Sequence, residues 1–224
     1  MKLLKSSVKP FLAIVVLLST LNLSAQKNDF QTWTTIELKK KVTKKLSFEL
    51  EEELRLCNNS TTFGQNNLTL SSTYALHKKL RLGLGYRYAY ENEFDDGHSK
   101  SHRIMVNATL RHKMQTGILL TFRERFQTDF SMGNRSKMFL RHRLQAAYKN
   151  SEFDWSPYLN VELTQALNNP VKNTIEKVRV FAGCEYDISY RLSANLAFGF
   201  QHSDRPLKKP KNYYMLNIGL SYLL

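Results

Sequence analysis

The chain has 224 residues, a formal net charge of +14 and two Cys, Cys57 and Cys184. Two Cys so far apart define no disulfide framework, so one bridge and two unpaired thiols both remain open, with unpaired thiols expected. Beyond the first 25 residues no apolar stretch is long enough to span a bilayer as a helix, which excludes a helical membrane protein but not a barrel.

The first 25 residues have the pattern of a secretory signal peptide. Three Lys precede the apolar run FLAIVVLLSTLNL, and Leu23-Ser24-Ala25 ends in a small residue. That run is shorter than the ~20 residues that a membrane-spanning helix needs. We therefore predict cleavage after Ala25, so that residues 1–25 are the signal peptide and residues 26–224 are the barrel. Removing three Lys takes the charge from +14 to +11 (14 − 3), so the mature chain is also basic.

Apolar residues then recur with a period of two, which predicts β-strands. A short segment, Trp33–Leu38, precedes a Lys-rich turn. Ten longer strands follow: Leu46–Leu56, Leu68–Leu76, Leu80–Tyr90, Arg103–Arg111, Ile118–Gln127, Met138–Tyr148, Trp155–Thr164, Val178–Ile188, Leu192–Phe200 and Tyr213–Leu224. Short turns alternate with longer polar loops, as in an up-and-down antiparallel barrel. The predicted fold class is therefore an all-β transmembrane barrel of ten to twelve strands.

The Trp33 segment leaves the strand number open. If the last strand and the Lys-rich turn lie at the same end of the barrel, the Trp33 segment runs parallel to the last strand. It is then an eleventh strand paired in parallel, an accessory segment beside ten strands, or a sign that a twelfth strand is missed. The last strand, Tyr213–Leu224, resembles the closing strand of outer-membrane barrels, and it closes onto either the Trp33 segment or the strand that contains Leu50–Arg55.

Charge type distinguishes the inner face from the outer face. The ten long strands contain no Lys, whereas ten of the thirteen Arg lie on their faces opposite the apolar rows. A water-exposed outer face would use Lys freely, while Arg suits enclosed multidentate pairing with carboxylates. We therefore predict lipid-facing apolar rows around a polar lumen with this structural charge network: Glu49, Glu51, Glu53, Arg55, Arg81, Arg87, Arg103, Arg111, Arg123, Arg125, Arg141, Arg143, Glu162, Arg179 and Glu185.

Two carboxylates do not fit this arrangement. Glu52 and Glu124 fall in the apolar rows, where a lipid-facing charge is unfavourable away from the membrane surface. We expect each to lie near a rim of the barrel or beside a bulge that shifts the register.

Polar loop residues raise the possibility of an enzyme at the rim. Asp95, Asp96, His98 and His102 share one loop, and His202-Ser203-Asp204 follows the tenth long strand. Outer-membrane proteases and lipases use such residue types, but no pattern of either class is matched. Ordinary solvated loop residues are the expectation, and we predict no catalytic, cofactor-binding or metal-binding residues.

A series of short motifs resembles one known family. They are Trp33, LEEELR (50–55), GYRY (85–88), His102-Arg103, LRHR (140–143), Pro157-Tyr158 with Glu162, and the closing strand. Their order resembles the uncharacterised outer-membrane barrels grouped as domain of unknown function 2490, over essentially the whole mature chain. The resemblance implies an outer-membrane barrel and brings no established activity.

Three functions follow from these observations. The expected one is a small structural or interaction barrel with an occluded charged lumen, because about ten strands leave little interior space. The alternatives are a narrow channel that prefers small anions, suggested by the excess of Arg, and a rim hydrolase acting on lipid or peptide.

The export signal and the barrel pattern also predict location and partners. The expected location is the outer membrane of a Gram-negative-type bacterium, and export argues against a nucleic-acid partner. Expected partners are membrane lipid, the barrel-assembly machinery and lipopolysaccharide. The last would meet the basic loop residues Arg135, Lys137, Arg205, Lys208, Lys209 and Lys211. No cofactor is expected.

Overall fold

A computed structural model describes residues 27–93, 97–131, 135–150, 152–168, 175–204 and 209–224. The predicted signal peptide and its cleavage site lie outside these residues. The described chain forms eleven strands: β1 (Lys27–Lys41), β2 (Leu46–Cys57), β3 (Thr62–Ala75), β4 (Leu80–Glu93), β5 (Gly97–Lys113), β6 (Ile118–Ser131), β7 (Lys137–Tyr148), β8 (Trp155–Ala166), β9 (Ile175–Asp187), β10 (Leu192–Ser203) and β11 (Lys211–Leu223). No helix in these ranges is long and apolar enough to cross a membrane.

The eleven strands form one closed barrel. Strands that are neighbours in sequence pair antiparallel, and β1 and β11 pair parallel to close the ring. An odd number of up-and-down strands requires one parallel pair, because the first and last strands run in the same direction. The eleventh parallel strand is thus the alternative that the structure shows, and β11 closes onto the Trp33 segment, with Trp33 opposite Asn217.

The strands are longer than their apolar patterns indicate. β1 has 15 residues and β5 has 17, so both extend beyond the predicted segments. The added ends carry Lys residues, including Lys39, Lys113 and Lys137. Backbone pairing continues at these ends although the apolar alternation has stopped, because hydrogen bonding between strands does not require an apolar side chain.

The outer face of the barrel is apolar. Successive side chains of a strand point to opposite faces, and on β10 Leu196 and Phe198 are 57% and 52% exposed while Ala197 between them is 3% exposed. Large exposed apolar side chains occur on every strand, from Ile36 on β1 to Leu220 on β11. The barrel therefore turns an apolar belt outward and its polar rows inward.

The expectation for the two outward carboxylates is wrong. Glu124 is the seventh of fourteen residues in β6, in regular register opposite His142 of β7. Glu52 is the seventh of twelve in β2 and accepts a hydrogen bond from Asn66 Nδ2 at 3.1 Å. The register shifts of the barrel lie elsewhere, after Arg55 and after Thr164. Each carboxylate is thus central in its strand and has a polar partner on the next strand.

The two cysteines are both free thiols. Cys57 ends β2 and Cys184 lies in β9, and these strands are not neighbours in the barrel. The described barrel is therefore closed by strand pairing without a disulfide.

Candidate functional site

The interior of the barrel holds an elongated cavity of about 1830 Å³, lined by residues of all eleven strands. One end is lined by Asn58 and Asn59, in the loop after β2. Near the other end are Lys39 and Ser193, beside the short turns after β1 and before β10, and Ser221, near the end of β11. The cavity therefore follows most of the length of the strands.

Most of the predicted network residues line this cavity. They are Glu49, Glu51, Glu53, Arg55, Arg87, Arg103, Arg123, Arg125, Arg141, Arg143, Arg179 and Glu185. Glu162 is only 1% exposed and lies behind its arginine partners. Arg81 and Arg111 do not line the cavity, and Arg111 instead lines a separate cleft with Lys78, Lys79, Lys113 and Lys149.

Glu162 of β8 joins four arginines from three strands. Its Oε2 accepts hydrogen bonds from Arg123 Nη2 and Arg143 Nε, both at 3.0 Å. Its Oε1 accepts one from Arg141 Nη2, and Arg179 Nη1 lies 3.5 Å away. A buried carboxylate requires such partners, because an unpaired charge out of water is very unfavourable. Glu162 therefore fixes the arginines of β6, β7 and β9 on one wall of the cavity.

The wall formed by β1, β2 and β4 carries most of the acidic groups. Arg87 Nη2 pairs with Glu51 at 2.9 Å, and Arg55 Nη2 pairs with Glu53 at 2.7 Å. One carboxylate oxygen from each of Glu37, Glu49 and Glu51 lies within 4.8 Å of the other two. Lys39 pairs with Glu37 at 2.6 Å. The cavity thus has an acidic wall at β1 and β2 and a basic wall at β6 and β7.

Trp33 lies at the seam between the parallel strands and faces inward. It is 5% exposed, with Arg55 Cζ 3.8 Å from its ring centroid and Arg179 Cζ at 5.4 Å on the same ring system. The ring also contacts Phe181, with centroids 6.0 Å apart. Cation–π contacts of this kind add to the ion pairs that Arg55 forms with Glu53 and Arg179 forms with Glu162.

Two interior residues, Asp129 and Phe181, were not predicted from the sequence. Asp129 of β6 accepts hydrogen bonds from Arg103 Nε and Nη2, both at 2.6 Å. It lies just beyond the predicted end of its strand, with the same parity as Arg123 and Arg125, so extending the alternation by one step would have found it. Phe181 lies in the polar row of β9 and lines the cavity. Because its side chain is apolar, the alternation of residue types did not indicate that it faces inward.

The rim residues are dispersed among separate contacts. His98 stacks on Tyr90 with centroids 4.9 Å apart, His102 Nδ1 lies 2.6 Å from Tyr86 Oη, and His202 Nδ1 lies 2.8 Å from Asn212 Oδ1. Ser203 is 6% exposed. Asp95, Asp96, Arg205 and Lys208 lie outside the described residues, whereas Arg135, Lys137 and Lys211 line the cavity.

The sequence model of a family described as protein of unknown function (DUF2490) matches residues 30–212. The chain belongs to this family. No curated protein matches it. The match confirms the resemblance drawn from the motifs, and it runs from β1 into β11 of this DUF2490 protein. Because the family description gives no activity, function has to be argued from the cavity itself.

Proposed function

We propose that the mature chain is an outer-membrane barrel whose interior conducts small anionic solutes. The apolar belt supports the membrane part of the proposal. Side chains such as Leu84, 58% exposed, and Leu144, 55% exposed, recur around the whole barrel, and a surface so extensively apolar is unfavourable in water. A closed barrel also pairs the central backbone groups of every strand, as a hydrocarbon environment requires.

The single observation that carries the transport part is the extent of the cavity. Protein interiors are normally packed without voids larger than a water molecule, whereas this cavity measures about 1830 Å³ and extends along the strands. At about 30 Å³ per water molecule, such a volume holds on the order of tens of waters. A water-filled space that follows the strands in this way is what supports solute passage.

Charge supports a preference for anions. The cavity is lined by nine Arg and four Lys against nine carboxylates, and Glu162 behind them makes ten, for a net charge of +3 (13 − 10). A narrow passage with a positive potential concentrates anions and repels cations. The excess lies on the β6 and β7 wall, where Arg123, Arg125, Arg141 and Arg143 stand together.

A structural or interaction barrel is the second candidate. Its support is the convergence of four arginines on Glu162 and the packing of Trp33 against Arg55 and Phe181, all within the interior. If these side chains meet across the cavity in the membrane, the barrel is held closed to solutes.

Conductance separates the two candidates. The mature protein is reconstituted into planar bilayers with KCl at different concentrations on the two sides. For a channel that prefers anions we expect steady single-channel openings. Their reversal potential should lie closer to the equilibrium potential of chloride than to that of potassium. A barrel that inserts fully folded and gives no openings supports the structural candidate and overturns the transport proposal.

Location and partners are part of the same proposal. We expect the protein in the outer membrane of a Gram-negative-type bacterium, inserted by the barrel-assembly machinery and in contact with lipid and lipopolysaccharide. Unheated and boiled samples should migrate differently on a gel, since folded barrels resist detergent. A protein that stays soluble and folded without detergent would contradict the membrane assignment.

A further inference from the structure

Four arginines form a square on the inner face of β6 and β7. Arg123 lies directly opposite Arg143, and Arg125 lies directly opposite Arg141. Residues in such cross-strand positions have Cβ atoms about 5 Å apart, and like charges there are destabilising. All four side chains line the cavity, and the charges of Arg123, Arg141 and Arg143 act on Arg125.

The square has more hydrogen-bond donors than protein acceptors. Arg125 donates through Nε to Asn107 Oδ1 at 2.6 Å, and no carboxylate of the described chain forms an ion pair with it. Nε of Arg123 and Nε of Arg141 are buried without a hydrogen-bond partner among the described residues. Buried donors of charged groups are unfavourable when unsatisfied. The square therefore combines unsatisfied N–H groups, buried beside the cavity, with uncompensated positive charge.

Neighbouring carboxylates are already occupied. Glu162 is shared by Arg123, Arg141, Arg143 and also Arg179. Asp129 accepts hydrogen bonds from Nε and Nη2 of Arg103, and Glu53 pairs with Arg55 and Arg87. With Arg125 counted, five guanidinium groups stand against the single carboxylate of Glu162, which leaves a local excess of four positive charges.

We propose that the arginine square is a binding site for a phosphate group, with Arg125 as its principal ligand. A guanidinium group presents planar paired donors that match the oxygens of a phosphate, whereas chloride offers no such geometry. A dianion also offsets more of the excess charge than a monoanion does. The ligand is either free phosphate or the phosphate of a small organic ester, since both present the same oxygens.

This inference deepens the proposed function, because it names the class of anion and the site at which that anion binds in the lumen. It does not depend on conduction, since a site inside a closed barrel that is open at one end binds phosphate equally well. Binding and conductance are therefore measured separately.

The test is calorimetric titration of the full mature protein in detergent with inorganic phosphate, in a buffer free of other oxyanions. We expect saturable binding, and we expect Arg125→Gln to weaken it about tenfold or more, since a charge-assisted fork is lost. Arg125→Lys keeps the charge but not the fork, so its affinity should fall between the two. Arg191→Gln, in an exposed turn beside Tyr190, is the matched control and should bind like the parent.

Each outcome decides the proposal. Parent protein that does not bind phosphate, or Arg125→Gln that binds like the parent, overturns it, as does equal weakening by Arg191→Gln. If Arg125→Gln does not fold, as judged by gel migration, Arg125→Lys decides alone. Glycerol phosphate in a second titration distinguishes the sources, because tighter binding than inorganic phosphate assigns an ester. Phosphate binding without conductance refutes the channel and supports the phosphate site. Anion-selective conductance without phosphate binding supports the channel and refutes the phosphate site.

Discussion

Glu124 and His142 face each other across β6 and β7 on the outer surface of the barrel. Nδ1 of His142 lies 2.7 Å from Oε2 and 2.8 Å from Oε1 of Glu124, and each side chain is 33% exposed. The pair sits at the middle of β6, inside the apolar belt. In lipid, an ionisable group in this position is tolerated only with a partner.

The first prediction concerns this pair. His142→Leu leaves the Glu124 carboxylate alone in the belt and should lower the free energy of unfolding in phospholipid vesicles by about 2 kcal/mol. Replacing both residues by Leu should restore or exceed the stability of the parent, because a well-packed apolar pair needs no desolvation of charge. Urea titration of the parent, His142→Leu, Glu124→Leu and the double Leu variant measures the double-mutant cycle.

The outcome also tests whether the outer face of the barrel is in contact with lipid or with water. A partly exposed pair in water is worth about 0–1 kcal/mol, so His142→Leu would then have little effect. In water the double Leu variant would also enlarge an apolar patch and promote association. Either result would contradict the membrane assignment.

The sequence was sufficient for a closed all-β barrel and for the alternation of apolar and polar rows. The period of two placed the ten arginines of the long strands opposite the apolar rows, and parity alone pointed to a parallel closing strand as one alternative. What it did not predict is which inner residues stand opposite each other. Arg123 faces Arg143 because of the register between β6 and β7, which loop geometry and pairing set together. The arginine square is therefore a consequence of register, where Arg–Glu pairing was expected.

The ends of the strands and the volume of the interior were not predicted from the pattern of apolar residues. Asp129 lies past the point where apolar alternation stops, although the backbone of β6 continues to Ser131. The cavity depends on how far long side chains are drawn to the wall, and Glu162 draws four arginines toward β8. Such side-chain geometry follows from contacts across several strands, which no local pattern contains.

The two tryptophans provide a second prediction, on the orientation of the two faces. Trp33 is 5% exposed and faces the interior, whereas Trp155 is 45% exposed on the outer face. Trp33→Phe leaves Trp155 as the only Trp of the mature chain, and Trp155→Phe leaves Trp33. In vesicles of lipids with brominated acyl chains, fluorescence of the Trp33→Phe variant should be strongly quenched and that of Trp155→Phe only weakly. Equal quenching, or the reverse order, would show that the assignment of faces is wrong.

The third prediction concerns the central carboxylate. Glu162→Gln leaves the arginines of three strands without their shared counter-charge, and should lower the free energy of unfolding by about 3–5 kcal/mol. Glu185→Gln is the matched control, because Glu185 is 39% exposed at the side chain and its ion pair within the described residues is with Lys149, 3.1 Å away and itself 40% exposed. Its cost should be about 1 kcal/mol or less. If urea titration gave the two variants similar decreases in the free energy of unfolding, Glu162 would not be the carboxylate that holds these arginines together.

The fourth prediction concerns the fit of Phe181 over Gly199. The two residues are directly opposite on β9 and β10, and a Cβ at position 199 would overlap the Phe181 ring. Gly199→Ala should therefore destabilise the barrel by about 1–3 kcal/mol, the usual cost of overpacking. Gly219→Ala is the control, since its Cβ would meet Asn195 Cβ at an ordinary 3.5 Å, and it should change stability little.

A double-mutant cycle separates this overlap from a general intolerance of side chains at position 199. Phe181→Ala removes the ring, so Gly199→Ala should cost much less in that background than in the parent, with a coupling of about 1 kcal/mol or more. Additive effects would mean that the ring and the glycine do not fit together as described.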